Sequence, residues 1–127
     1  MSALRTIGFG LALMILTVGG SQALDDLTRD FAYCAGRYSA EMEHAWLMSD
    51  TASDVPEAKR AAFVELLEAV APEGSGSSVL HYRISAKAAQ SALLARSSFA
   101  GDADIAENAR EQAASLVRAC DRFLLQG

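Results

Sequence analysis

The stretch YCAGRYSAEMEHAWLM, residues 33–48, sets Met42, His44, Trp46 and Met48 at alternate positions. Thioether and imidazole side chains are ligands for copper and other soft metals. The run therefore has two readings, a metal site or one side of a buried helix. Successive helical residues turn by about 100°, which decides between them. Met42 and Trp46 fall with Phe31, Ala35 and Tyr38 on or beside an apolar stripe. His44 and Met48 fall with Tyr33, Arg37 and Glu41 on an adjoining band. A regular helix cannot turn all four toward one ion, and Met42 and Trp46 are expected in the core.

The band of Tyr33, Arg37, Glu41, His44 and Met48 is the candidate functional face. Arg37 and Glu41 stand four apart and are placed to pair, and His44 lies three beyond Glu41 and four before Met48. Three readings apply. The band is a boundary covered by a neighbouring helix, its surface ion pair worth under ~1 kcal/mol. Or it is a face for a partner protein. Or His44 and Met48 supply two ligands to copper as a cofactor, with His81, the other histidine of the chain, as a possible third. Later in the chain, Arg83 and Lys87 are four apart and are candidate contacts for an anion or for a partner's carboxylates, the alternative being a solvated face. A further reading makes Tyr38, Met42 and Trp46 the apolar wall of a small-molecule pocket in the core.

Catalytic signatures are missing. There is no Gly-rich phosphate loop, HExxH, CxxC or GxSxG, and neither histidine has a nucleophile or orienting acid at motif spacing. The expectation is a non-enzymatic protein without catalytic residues.

These side chains need a scaffold, and the composition specifies a helical one. Alanine, leucine, glutamate and arginine dominate from Leu24 onward, with few β-branched residues. Helix one is expected from about Asp25 to Ser49. DTASDVPE ends it and begins helix two, about Val55 to Ala71, with Asp54 as N-cap and Glu57 closing a capping box. PEGSGSS is the flexible stretch. Ser77 or Ser78 caps helix three, which runs to Ala100; Gly101 ends it, and Asp102 caps helix four, which runs to about Leu125.

Ile105, Ala109, Ala113, Leu116, Cys120 and Leu124 make one face of helix four, and Leu27, Phe31, Cys34, Tyr38, Met42 and Ala45 one face of helix one. Leu80, Ile84, Ala88 and Ala95 form the expected inner stripe of helix three. Ala32, Gly36 and Ala40 add a row of small residues on helix one. Gly36 costs about 1 kcal/mol against alanine in mid-helix, and such a row suits close approach of another helix, from this chain or a partner. An antiparallel first and last helix brings Cys34 beside Cys120. The fold expected is all-α, a four-helix up-down-up-down bundle with one disulfide between its first and last helices. Closing so long a loop stabilises by about 4.5 kcal/mol on the chain-entropy account. Two buried free thiols are the alternative.

The opening residues assign the compartment. MSALR carries Arg5, TIGFGLALMILTVGG has no charge, and SQA places small residues at Ser21 and Ala23. That is the order of a secretory signal, with cleavage expected after Ala23. Residues 1–23 are then a removed signal peptide and 24–127 one bundle domain, without stable membrane insertion after cleavage. Losing Arg5 takes the net charge from −5 to −6. An acidic surface disfavours nucleic acid and anionic membrane. FAYCAGRYSAEMEHAWLM, RISAKAAQSALLARSSF and ACDRFLL together resemble small exported helical proteins of alphaproteobacteria, a group with no assigned activity. The resemblance spans most of the chain after residue 23, both cysteines included, and implies a bacterial periplasmic setting. It carries no ligand or catalytic residues. The leading expectation is a periplasmic protein-interaction or envelope-assembly component, its partner unidentified and its oligomeric state open.

Overall fold

A computed structural model describes residues 24–125, so the expected signal segment and its cleavage site lie outside the described residues. Four helices follow in order: α1 (Asp26–Leu47), α2 (Asp54–Val70), α3 (Gly76–Phe99) and α4 (Ala103–Leu124), with a short 3-10 turn, Thr51–Ser53, before α2. No strand occurs among the described residues.

Local chemistry sets the ends. The Asp25 carboxylate accepts from the Thr28 amide at 2.7 Å and starts α1. At the other end Ser49 takes a left-handed φ of 54°. Its amide donates to the Trp46 carbonyl, and that of Asp50 to the Ala45 carbonyl. This is a Schellman closure with serine where glycine is usual. Asp50 then caps the 3-10 turn through the Ala52 amide. The expected cap at Asp54 is thereby corrected: the 3-10 turn runs straight into α2, Asp54 sits within it, and Ser53 makes no side-chain cap. The Ser77 or Ser78 cap is corrected too, because α3 already begins at Gly76. PEGSGSS is a tight turn rather than a flexible loop. The Ser75 amide and hydroxyl both donate to the Pro72 carbonyl, and Gly74 supplies the positive φ of 77°. Asp102 caps α4 as expected, accepting from Asp104 and Ile105.

The helices run up-down-up-down, and α1 is the central one, packed against α2, α3 and α4. The small-residue row explains an unusual closeness between the parallel pair α1 and α3. A Cβ at Gly36 would stand 2.2 Å from the Arg83 carbonyl oxygen and 3.1 Å from the Ala86 Cβ. Ala32 and Ala40 are buried on the same side. The row serves an intramolecular contact. Among the helices α2 comes close only to α1.

Two cores result. Phe31, Tyr38 and Phe63 gather with Leu67 and the cystine near the Pro72–Ser75 end, and Phe123 joins edge-on. Ala40, Leu93, Leu94, Ala109 and Ala113 join α1, α3 and α4 nearer the opposite end. Cys34 and Cys120 are bonded, with Cα atoms 5.6 Å apart. A cystine of this kind belongs to a non-reducing compartment, as exported proteins meet. No described helix is long and apolar enough to cross a membrane.

Several expected core positions are on the outside. Trp46 is 54 % exposed, against expectation, because it lies in the last turn of α1 beyond the reach of its neighbours. Leu27 and Ile105, each in the first turn of its helix, are exposed for the same reason. The stripe expected inward on α3 faces out at Leu80, Ile84, Ala88 and Ala95. Val79, Tyr82, Ala86, Gln90, Leu93 and Leu94 pack instead. Helix α3 has apolar residues around most of its circumference, so periodicity alone does not choose the buried row; contact at Gly36 does.

Candidate functional site

The band on α1 does not stay together. Its two ends meet different neighbours because α1 is surrounded by three helices. Tyr33 packs edge-on against Tyr82 of α3 at 5.3 Å. Arg37 lies over the Tyr33 ring and points Nη1 at the Cys120 sulfur, 3.6 Å away. Burial holds its guanidinium below the usual arginine range, although Asp30 and Tyr33 counter this. The expected Arg37–Glu41 pair is therefore corrected. Glu41 turns instead to Gln90 of α3, whose Nε2 donates to its carboxylate at 2.7 Å and to the Ala113 carbonyl at 3.1 Å. Burial raises the Glu41 carboxyl above its usual range, partly offset by the Gln90 hydrogen bond and by His44.

Glu41, His44 and Met48 do meet, in a cleft of about 560 Å³ between α2 and α4 with α1 as floor. Tyr38, Asp50, Lys59 and Asp121 are also in its polar lining. Lys59 Nζ donates to the Asp121 carboxylate at 2.9 Å, the Tyr38 hydroxyl donates to the same oxygen, and the Lys59 ammonium lies 5.5 Å from the Tyr38 ring centre. Burial of the Tyr38 phenol and its bond to Asp121 push its pKa up. Burial works to raise Asp121, but the bonds from Tyr38 and Lys59 and the lysine charge outweigh it and hold the carboxyl below its usual range. Every charge near the floor of this cleft has a partner, which makes it a structural network.

The three-ligand copper arrangement does not assemble. The His44 ring hydrogen-bonds Ser98 near the end of α3, while His81 stands in its second turn against Tyr82. His81 and Ser98 are about 25 Å apart along the axis. His44 and Met48 share a cleft without it. The proposed apolar wall of Tyr38, Met42 and Trp46 is likewise dispersed: Tyr38 lines the α2–α4 cleft, Met42 a separate groove between α2 and α3, and Trp46 is at the surface.

Arg83 and Lys87 both line that second groove, with Arg60 of α2, which the sequence did not single out. Lys87 pairs with Glu43 at 2.6 Å. Arg60 Nε donates to the Ser39 hydroxyl at 3.0 Å, and that hydroxyl donates to the Ala35 carbonyl. Neither Arg60 nor Arg83 has a carboxylate partner among the described residues.

One end of the bundle forms the other notable surface. Trp46, Leu47 and Met48 close α1, Val55 opens α2, Phe99 closes α3 and Ile105 opens α4, and all six are exposed. Antiparallel connection puts them at the same end, and the His44–Ser98 bond ties α1 to α3 there. Asp50, Asp54, Asp102 and Asp104, all exposed, lie at the same helix ends, against Arg96 in the last turn of α3. The sequence pattern gave no sign of this gathering, because each residue reads as the terminus of a separate amphipathic helix. Comparison with protein-family models, with curated proteins and with solved structures finds no match for this chain.

Proposed function

We propose that this protein is an exported, non-enzymatic helical bundle of the bacterial periplasm that binds another protein, as a component of an envelope assembly. The observation that carries this reading is the apolar end. Phe99 is 63 % and Leu47 68 % exposed, and a gathering of large apolar side chains at the surface, rimmed by charge, is typical of interaction sites. The acidic rim asks for a partner with an apolar centre and basic residues around it. Removal of residues 1–23 as a signal peptide is part of the same proposal, and the cystine supports it.

A photo-crosslinking side chain introduced at Trp46 or Phe99 tests the reading in living cells, with Glu65 on the exposed side of α2 as control. Adducts with a defined protein from the two end positions and none from Glu65 are expected. No adduct, or equal labelling from all three, overturns it; an adduct with a second copy of this chain makes the end a self-association surface instead. The copper alternative now rests on His44 and Met48 alone. A Cu(I) titration against a competing chelator, unchanged by His44→Ala and Met48→Leu, removes it.

A further inference from the structure

The α2–α3 seam holds two arginines, Arg60 and Arg83, that have no ion-pair partner among the described residues and stand beside apolar walls. Helices α2 and α3 leave the Pro72–Ser75 turn and do not approach each other closely afterwards. Two troughs lie in the gap. One, of about 230 Å³, has Gly36, Ser39 and Met42 of α1 as floor, Arg60 on one side and Leu80, Arg83 and Ile84 on the other, with the Glu43–Lys87 ion pair also in its lining. The next, of about 280 Å³, is walled mainly by Val64, Leu67, Pro72 and Val79, with Glu68 on its lining as well. Arg83 lines both, so it marks where the basic trough passes into the apolar one.

We propose that this seam binds a single-chain anionic amphiphile, its anionic head between Arg60 and Arg83 and its apolar chain along the Val64–Leu67–Val79 trough. Three observations carry the ligand class. Arg60 is fixed by Ser39, which is itself tied to Ala35, so the guanidinium is held in place before any ligand arrives. Burial and the positive charge of Arg60 both hold Arg83 below the usual arginine range, so the two cations repel across the groove in an otherwise acidic protein. An anion relieves that repulsion, and guanidinium groups suit carboxylate and phosphate oxygens. Finally, Leu80 and Ile84 are more than half exposed on the groove edge although their row is apolar. Together the troughs fall in the range of small-ligand sites, about 300–1,000 Å³, whereas a docked helix about 10 Å across needs far more room.

Isothermal titration of the disulfide-intact protein with laurate is the test, with acetate, inorganic phosphate and uncharged dodecyl maltoside as separate arms. Laurate is expected to bind saturably. Arg83→Gln and Arg60→Gln are each expected to weaken it at least tenfold, and Val79→Asp to weaken it while the far-ultraviolet circular dichroism stays helical. Acetate, phosphate and the maltoside should bind at least tenfold more weakly than laurate. No saturable laurate binding overturns the proposal, as does binding that Arg60→Gln and Arg83→Gln leave unchanged. Phosphate binding as tight as laurate removes the apolar part. An acidic amphipathic peptide that binds at these arginines where laurate does not would assign the seam to a protein partner. None of these outcomes touches the apolar end, so this inference and the proposed function stand or fall separately.

Discussion

Helix α2 has a seam on each side, and the two are built on opposite electrostatic terms. Toward α4, Lys59 reaches Asp121, and Asp121 also takes the Tyr38 hydroxyl. Phe63 adds an edge-on contact to Phe123 across the same gap. Toward α3, Arg60 and Arg83 line one groove, where the carboxylate of Glu43 is taken by Lys87 and neither arginine has an ion-pair partner among the described residues. The same helix thus faces one neighbour with matched charge and the other with unmatched charge. Folding alone gives no reason to keep two arginines half-buried and facing each other, since either would be cheaper as an apolar residue. The matched seam belongs to stability. The unmatched one is where binding is to be sought.

The largest expected effect comes from the cystine that fixes α4 to α1 beneath the matched seam. Reduction, or the pair Cys34→Ala and Cys120→Ala, should lower stability by about 4.5 kcal/mol, for a loop spanning a separation of 86 residues. Urea denaturation with and without reductant measures it. A loss below about 1 kcal/mol would mean that packing alone holds α4 on α1 and that the matched seam owes the cystine little.

Gly36 is the corresponding element under the unmatched seam, where it lets α1 and α3 touch. Gly36→Ala adds about 1 kcal/mol of helix propensity, yet its Cβ would sit 2.2 Å from a backbone oxygen that cannot swing aside. The expected balance is a net loss of about 2 kcal/mol, read from the same urea curves. A stabilised variant would show that α3 shifts freely and that the seam has no fixed floor.

A smaller effect separates the two kinds of carboxylate by the sign of their pH dependence. Asp121 has a lowered pKa, so its contribution is present above the ordinary aspartate value and is lost as pH falls through the folded value. Glu41 has a raised pKa, so its contribution is present below the ordinary glutamate value and is lost as pH rises through the folded value. Asp121→Asn should therefore be less stable than the parent protein at neutral pH and converge with it on acidification. Glu41→Gln, still able to accept from Gln90, should be more stable at neutral pH and also converge. Urea midpoints between about pH 3 and 7 follow both; parallel curves for either variant would remove the assigned shift.

Much of the fold was legible in the sequence, for reasons visible in particular residues. The stripe through Ala109, Ala113 and Cys120 has one apolar face on an otherwise polar helix, so α4 could be oriented from it. Asp102 reads directly as a cap. Helix α3 resisted because Leu80 and Ile84 are as apolar as Leu93 and Leu94. The buried row was chosen by Gly36, a residue on another helix. The site was less legible still. Arg60, Ser39, Gln90 and Asp121 matter through partners 21 to 83 residues away in sequence, and periodicity reports only neighbours on one helix. Ser49 escaped notice because a serine in the left-handed position carries no pattern, whereas a glycine there would have announced the end of α1.

The contrast between the seams is tested most directly by removing one cation from each and measuring equilibrium unfolding at neutral pH. Methionine keeps the aliphatic stem in both cases. Lys59→Met should cost about 1 kcal/mol, allowing for the partial exposure of the pair, because it leaves Asp121 without its ammonium. Arg83→Met should cost nothing or stabilise slightly, because it relieves the repulsion with Arg60. Equal losses from the two variants, or a larger loss from Arg83→Met, would contradict the account, since the arginine seam would then be holding the bundle together rather than standing ready for an anion.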